Sequence, residues 1–267
     1  ARRAFARGDA KAAGNLFQRA VALLPSDEPA RLPLLPELGE VLLELGQFAE
    51  ARTVVEEALA TAKSVGNKRV EASALLARML VRLHSGESGN WSDGAVELTT
   101  TVIPLLEEQS ARAELGKAWR LVAMVQQIAG RLGEASETIS KVIHHARLGG
   151  DERLVARSAL GMTLSAVYGP TPAVQAIAQC EALIASGLAD RQVQNLIIGK
   201  VALLHAMVGD FDTARRNATS ARVVLRDLSQ GVRAAASSLD VAEVELLAGD
   251  PAAAERELRA DCEMLQQ

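Results

Sequence analysis

The chain has 267 residues, 49% of them hydrophobic but only 3% aromatic, and 29 Lys and Arg against 33 Asp and Glu leave a net charge of −4. The signs are interspersed, so there is no field to draw the protein onto DNA or an anionic membrane, and neither partner is expected. No apolar stretch reaches the roughly 18 residues of a membrane span.

Glycine punctuates the chain at Gly8, Gly46, Gly89, Gly130, Gly169, Gly209 and Gly249, spaced by 38, 43, 41, 39, 40 and 40 residues. A fixed period in this range marks stacked supersecondary units. Taken in chain order, residues before Gly8 read as the end of a helix and residues 10–24 as the next. In the following unit Leu35, Leu38, Leu42 and Leu45 recur at spacings of 3, 4 and 3, an apolar stripe on a helix over 30–45. Gly46 closes it, because a residue without Cβ takes the left-handed cap conformation cheaply. Phe48, Ala51, Val55, Ala58 and Ala62 then define a second helix over 48–65.

The same reading places further first helices over 68–84, 111–129, 151–167, 189–208 and 231–248. Second helices follow over 92–108, 132–148, 172–186, 211–228 and 251–265. Two joints depart from the pattern: Ser85-Gly86-Glu87-Ser88-Gly89-Asn90 is longer, and Tyr168-Gly169-Pro170-Thr171-Pro172 inserts a rigid turn. Pro104 falls inside a predicted helix and should kink it. The fold expected is all-α, about seven helix–turn–helix repeats of about 40 residues in a single repeat domain over 1–267. The chain lacks an initiator Met and opens within a helix, so it is expected to be a piece of a longer polypeptide. Cys180 and Cys262 sit in equivalent second helices two repeats apart, beyond disulfide reach. Free thiols point to the cytoplasm.

Gly46/Phe48/Ala51, Gly130/Leu132/Ala135 and Gly209/Phe211/Ala214, with Trp119 before Gly130, resemble the tetratricopeptide motif. The resemblance implies a right-handed superhelical solenoid with first helices on its concave wall. Leu34-Leu35-Pro36-Glu37-Leu38-Gly39, Ala118-Trp119-Arg120-Leu121 and Val244-Glu245-Leu246-Leu247-Ala248-Gly249-Asp250-Pro251 are further similar to the C-terminal helical arm of large bacterial signal-transduction ATPases. In that family an effector domain, often an adenylate/guanylate cyclase or a helix-turn-helix, precedes a P-loop ATPase. The resemblance implies a non-catalytic sensor or scaffold arm whose parent binds ATP elsewhere.

The residues themselves offer no chemistry. A P-loop needs Gly-x-x-x-x-Gly-Lys-Ser/Thr, but Gly116-Lys117 is followed by Ala118 and Gly199-Lys200 by Val201. His144 and His145 are adjacent on a helix and point about 100° apart, unlike the i, i+4 spacing of helical zinc sites. Glu56-Glu57 and Glu107-Glu108 read as solvated surface, while Trp119 and Trp91 read as core. No enzyme activity, metal or cofactor is expected. First-helix positions off the core stripe are the candidate binding wall: Arg78, Arg82, Lys117, Arg120, Met124 and Gln127, with Glu40, Ser158, Met162, Leu203 and Glu243 around them. A protein or peptide partner, including another domain of the same polypeptide, is expected there, with a small-molecule effector as a further class. The alternative is a stand-alone adaptor whose Arg78, Arg82 and Arg120 grip an acidic peptide bidentately.

Overall fold

Two backbone devices recur at the joints between helices, and both follow from the residues placed there. The computed structural model describes residues 1–85, 90–187, 191–227 and 238–265. Among these lie fourteen helices and no strand. They are α1 (Arg2–Ala6), α2 (Ala10–Leu23), α3 (Leu34–Glu44), α4 (Phe48–Ser64), α5 (Lys68–His84), α6 (Trp91–Glu108) and α7 (Arg112–Ile128). Then come α8 (Leu132–Gly149), α9 (Glu152–Tyr168), α10 (Ala173–Ala185), α11 (Arg191–Met207), α12 (Phe211–Asp227), α13 (Ser238–Leu247) and α14 (Pro251–Leu265).

The first device is a left-handed glycine. Gly8, Gly46, Gly130, Gly209 and Gly249 have φ between 72° and 85° and join the two helices of a repeat. At Gly46 the chain closes as a Schellman turn: Gln47 N–H donates to the Leu42 carbonyl at 2.9 Å and Gly46 N–H to that of Leu43 at 3.1 Å. The second device is an Asx cap directly after the glycine. Asp9 Oδ1 accepts from Ala12 N–H at 2.9 Å, Asp210 Oδ1 from Thr213 N–H at 3.2 Å and Asp250 Oδ1 from Ala253 N–H at 2.9 Å. Joints between repeats use the same pair, Gly66-Asn67 and Gly150-Asp151. The α6–α7 joint has neither: Ser110 takes the left-handed conformation at φ 52°, and Ala111 offers no side-chain cap.

The structure corrects several expectations. Gly169 is not left-handed; a Cβ there would lie 2.1 Å from the Ser165 carbonyl oxygen, so close backbone approach is what requires it. The helix expected from residue 30 begins at Leu34, with Pro33 as its N-cap. That start puts Pro36 in the first turn, where no intrahelical N–H is missing. Pro104 lies within α6, which runs on to Glu108. Phe48, expected in a core slot, is 38% exposed, and Leu203, expected on the wall, is buried in the core. Gly89 and the joint 86–89 lie outside the described residues, as do 188–190 and 228–237.

The chain forms two compact units, Ala1–Ala129 with Ser140–Leu154, and Gly130–Ile139 with Val155–Gln267. In the first, α3 packs on α4 and α4 on α5, and first helices also meet first helices, α3 with α5 and α5 with α7. Leu35, Val41, Leu42, Leu106, Leu115 and Leu121 are essentially fully buried. Gly39 permits the close α3–α4 contact, since a Cβ there would stand 2.4 Å from a Val55 methyl. In the second unit α11 packs on α12 and α13, around Ile197, Leu204 and Val244.

Candidate functional site

Five first helices of the first unit present their opening turns to one cavity of about 690 Å³. It is lined by α1, α3, α5, α7 and the start of α9 with its preceding joint. Charged side chains of both signs line it, among them Arg2, Glu37, Arg69, Glu114 and Arg153. They pair across helices. Arg2 Nε and Nη2 donate to both Glu37 carboxylate oxygens at 2.8 and 2.7 Å, and Arg69 does the same to Glu114 at 2.8 and 3.0 Å. Arg153 bonds to Glu44, donates to the Phe5 carbonyl at 2.8 Å and lies 4.0 Å over the Phe5 ring.

Lys117, like Arg153, is largely enclosed. It donates to Glu40 Oε1 at 2.6 Å, joining α7 to α3 past the intervening α5. Burial alone would lower its pKa, but the Glu40 carboxylate, with Asp151 and Glu37 behind it, outweighs that and raises it. Every cation on this wall thus already faces a carboxylate. A ligand carrying only one sign of charge would strand half-buried groups of that sign's partner, at the cost of an unmade charged hydrogen bond each.

The six predicted wall residues are divided by the structure. Lys117 lines the large cavity. Arg78 and Arg82 lie toward the other end of α5, in a notch of about 200 Å³ with Arg52 and Glu56 of α4. Arg120, Met124 and Gln127 are half-buried on α7 and line neither space. Glu40 is on the wall as expected, whereas Ser158 is buried. Trp119 is half-buried, with Lys141 Nζ 4.3 Å over its ring, and Trp91 packs against the α5–α7 core. His145 is half-buried, and burial, with His144 and Arg112 beside it, lowers its pKa. Among the described residues no group of three or more His, Cys, Asp or Glu could hold a metal ion.

The second unit holds an ion pair between first helices that no sequence pattern announces. Lys200 of α11 donates to Asp240 of α13 at 2.5 Å, with its ammonium 5.9 Å from the Tyr168 ring. Burial would lower the Lys200 pKa, and the Asp240 carboxylate outweighs it and raises it. Glu243 sits one turn after Asp240, with Oε2 buried and unpartnered among the described residues. The signal available in the sequence for Arg2, Glu37, Arg69, Glu114 and Arg153 is a charged residue near the start of each first helix. For Lys200 and Asp240 the sequence carries no such regularity.

Residues 4–79 match the family model of the tetratricopeptide repeat. Across nearly the whole chain the structure is similar to the apo form of RapI, with a TM-score of 0.67 at 12% identity over 98% of this chain and 94% of that one. It is similar too to a Rap protein complexed with Competence and Sporulation Factor, with a TM-score of 0.69 at 14% identity over 98% and 72%. The fold is tetratricopeptide-like. A third relative of this tetratricopeptide-like fold is a Signal Transduction ATPase with Numerous Domains from Pyrococcus horikoshii that carries a tetratricopeptide repeat sensor. Its TM-score is 0.55 at 12% identity, over 97% of this chain and 39% of that one. At such identities the likeness is one of fold. No curated protein sequence matches the chain. Among the described residues no helix is long and apolar enough to cross a membrane.

Proposed function

We propose that this chain is a non-catalytic docking module whose first-helix cavity receives a segment of a partner protein or of another domain of its own polypeptide. In this reading it is the sensor and scaffold arm of a bacterial multidomain signalling ATPase or transcriptional regulator, working in the cytoplasm. The observation that carries it is the cavity of about 690 Å³ walled mainly by the first two turns of first helices and the joints before them. Its size falls within the roughly 300–1,000 Å³ of ligand sites. The tetratricopeptide repeat sensor of the Pyrococcus ATPase, and the Rap protein complexed with Competence and Sporulation Factor, support the same reading. Because Arg2, Arg69, Lys117 and Arg153 are all matched by carboxylates, a segment carrying both signs of charge fits the wall best. It would exchange ion pairs with the wall and leave none broken.

Docking would bias the attached domains only by the difference in affinity between their two states. The alternative reading, a stand-alone adaptor for an acidic peptide, rests on Arg78 and Arg82; inside the cavity an acidic segment must first displace Glu40 from Lys117. Hydrogen exchange tests the proposal. Adding the ATPase region of the parent polypeptide should slow exchange in the opening turns of α3, α5 and α7, and Lys117→Glu should abolish that protection. Protection confined to second helices, or none at all, would remove this reading.

A further inference from the structure

We propose that one stripe of α13 is a docking face for the opening helices of a second copy of this chain, so that copies stack head to tail. Leu239, Glu243 and Leu246 recur there at helical spacing, and the two leucines are 60% and 56% exposed. Forty residues earlier, the interval between Gly209 and Gly249, the same stripe on α11 is Gly199, Leu203 and Ala206. All three are buried. What covers them is the next first helix: Ala206 packs with Val241 and Val244 of α13, and a Cβ on Gly199 would lie 3.9 Å from Asp240 Oδ2. Forty residues earlier again, Ala159, Thr163 and Ala166 of α9 are buried as well. On α13 the surface that α9 and α11 cover is open, and exposed apolar groups aligned in this way mark a contact surface. Glu243, between the leucines, has a buried Oε2 with no partner among the described residues. The occupant must therefore bring a cation as well as aliphatic side chains.

The opening helices of the chain meet both requirements. Successive first helices are joined by cation–carboxylate pairs, Arg2 to Glu37, Arg69 to Glu114 and Lys200 to Asp240. With Gly8 aligned on Gly249, Arg3 of α1 takes the position of Val244, which packs on Ala202 and Ala206 of α11. Arg3 is exposed and pairs with no carboxylate among the described residues. On α2, Leu16 and Leu23 are 45% and 79% exposed, whereas Val54 and Thr61, at the same positions one repeat later, are partly covered. Seating α1 on α13 as α13 sits on α11 brings Arg3 to the turn that carries Glu243, and it withdraws apolar surface of both copies from water. Pairing of two α13 stripes about a two-fold axis would instead set Glu243 against Glu243, two like charges in one contact. None of these residues lines the large cavity, so the stacking is separate from docking there.

Sedimentation velocity on the intact chain tests the proposal. A head-to-tail contact joins unlike surfaces, so association runs on past the dimer. The weight-average mass should climb through dimer and trimer as the concentration rises from about 1 to about 100 μM. Leu246→Glu should weaken association at least about tenfold. Glu243→Arg and Arg3→Glu should each weaken it too, by setting like charges together, and the variant carrying both substitutions should recover most of the loss. Circular dichroism and thermal melting verify that each variant is folded. A chain that stays monomeric at every concentration, as it would if a further repeat or a different protein covers the stripe, would overturn the proposal. So would assembly that stops at a dimer and survives Arg3→Glu, which marks pairing of two α13 stripes, or failure of the charge exchange to restore association.

Discussion

At the level of single residues, the joints between helices are where identity and conformation are most tightly coupled. Glycine at φ near +70 to +85° carries no steric cost, whereas a side chain there is strained by about 1–2 kcal/mol. Ser110, at φ 52°, is the only non-glycine in that region among the described residues. Its neighbour Ala111, unlike Asp9 or Asp250 in the corresponding place, provides no cap. Ser110→Gly is therefore expected to raise stability by about 1 kcal/mol, part of the relieved strain being offset by the freer unfolded chain. Thermal or urea melting reads this directly, and an unchanged or lowered midpoint would show that the strain at Ser110 is relieved elsewhere.

At the level of helices, phase matters more than composition. The 3.6-residue stripe and the recurring glycines place α4, α5 and α6 within a residue or two of where the sequence predicts them, because burial of one face and a left-handed stop are local demands. Which side of the stripe faces the wall is not local. Leu203 and Lys200 lie on the same helix three residues apart, yet one is core and the other pairs with Asp240. A rotation of α11 by less than one residue position separates those outcomes, and only packing against α12 and α13 fixes it. Lys117 was found because it stands clear of the stripe, but its partner Glu40, 77 residues earlier, follows from tertiary structure alone. That pair has a pH signature. The Lys117 pKa is raised in the folded chain, so its contribution is complete below the unfolded lysine value of about 10.4 and is lost as pH climbs through the folded value. The wild type should thus lose stability above about pH 10 more steeply than Lys117→Met. Parallel alkaline limbs in the two denaturation series would show that the ion pair contributes nothing.

For the molecule as a whole, energy is held locally. The core is divided among clusters, one around Leu38, Val41 and Leu42, another around Leu35, Leu59 and Val70, and a third spanning α5, α6 and α7. The second unit has its own, around Ile197 and Val244. Leu35→Ala removes a fully buried side chain and should cost about 2–5 kcal/mol. Because the apolar clusters are shared between adjacent helices, the cost should appear as faster hydrogen exchange in α3, α4 and α5, with α11 and α12 unaffected. Acceleration spread evenly over both units would mean one cooperative core.

The paired glycine and Asx residue at five of the joints has an evolutionary corollary. Because the stop of one helix and the start of the next are written in two adjacent letters, a block of about forty residues carries its own punctuation. Copying or deleting such a block leaves the grammar on either side intact. The chain can therefore lengthen or shorten by whole blocks, while charges on the wall drift to suit new partners without disturbing what lies behind them.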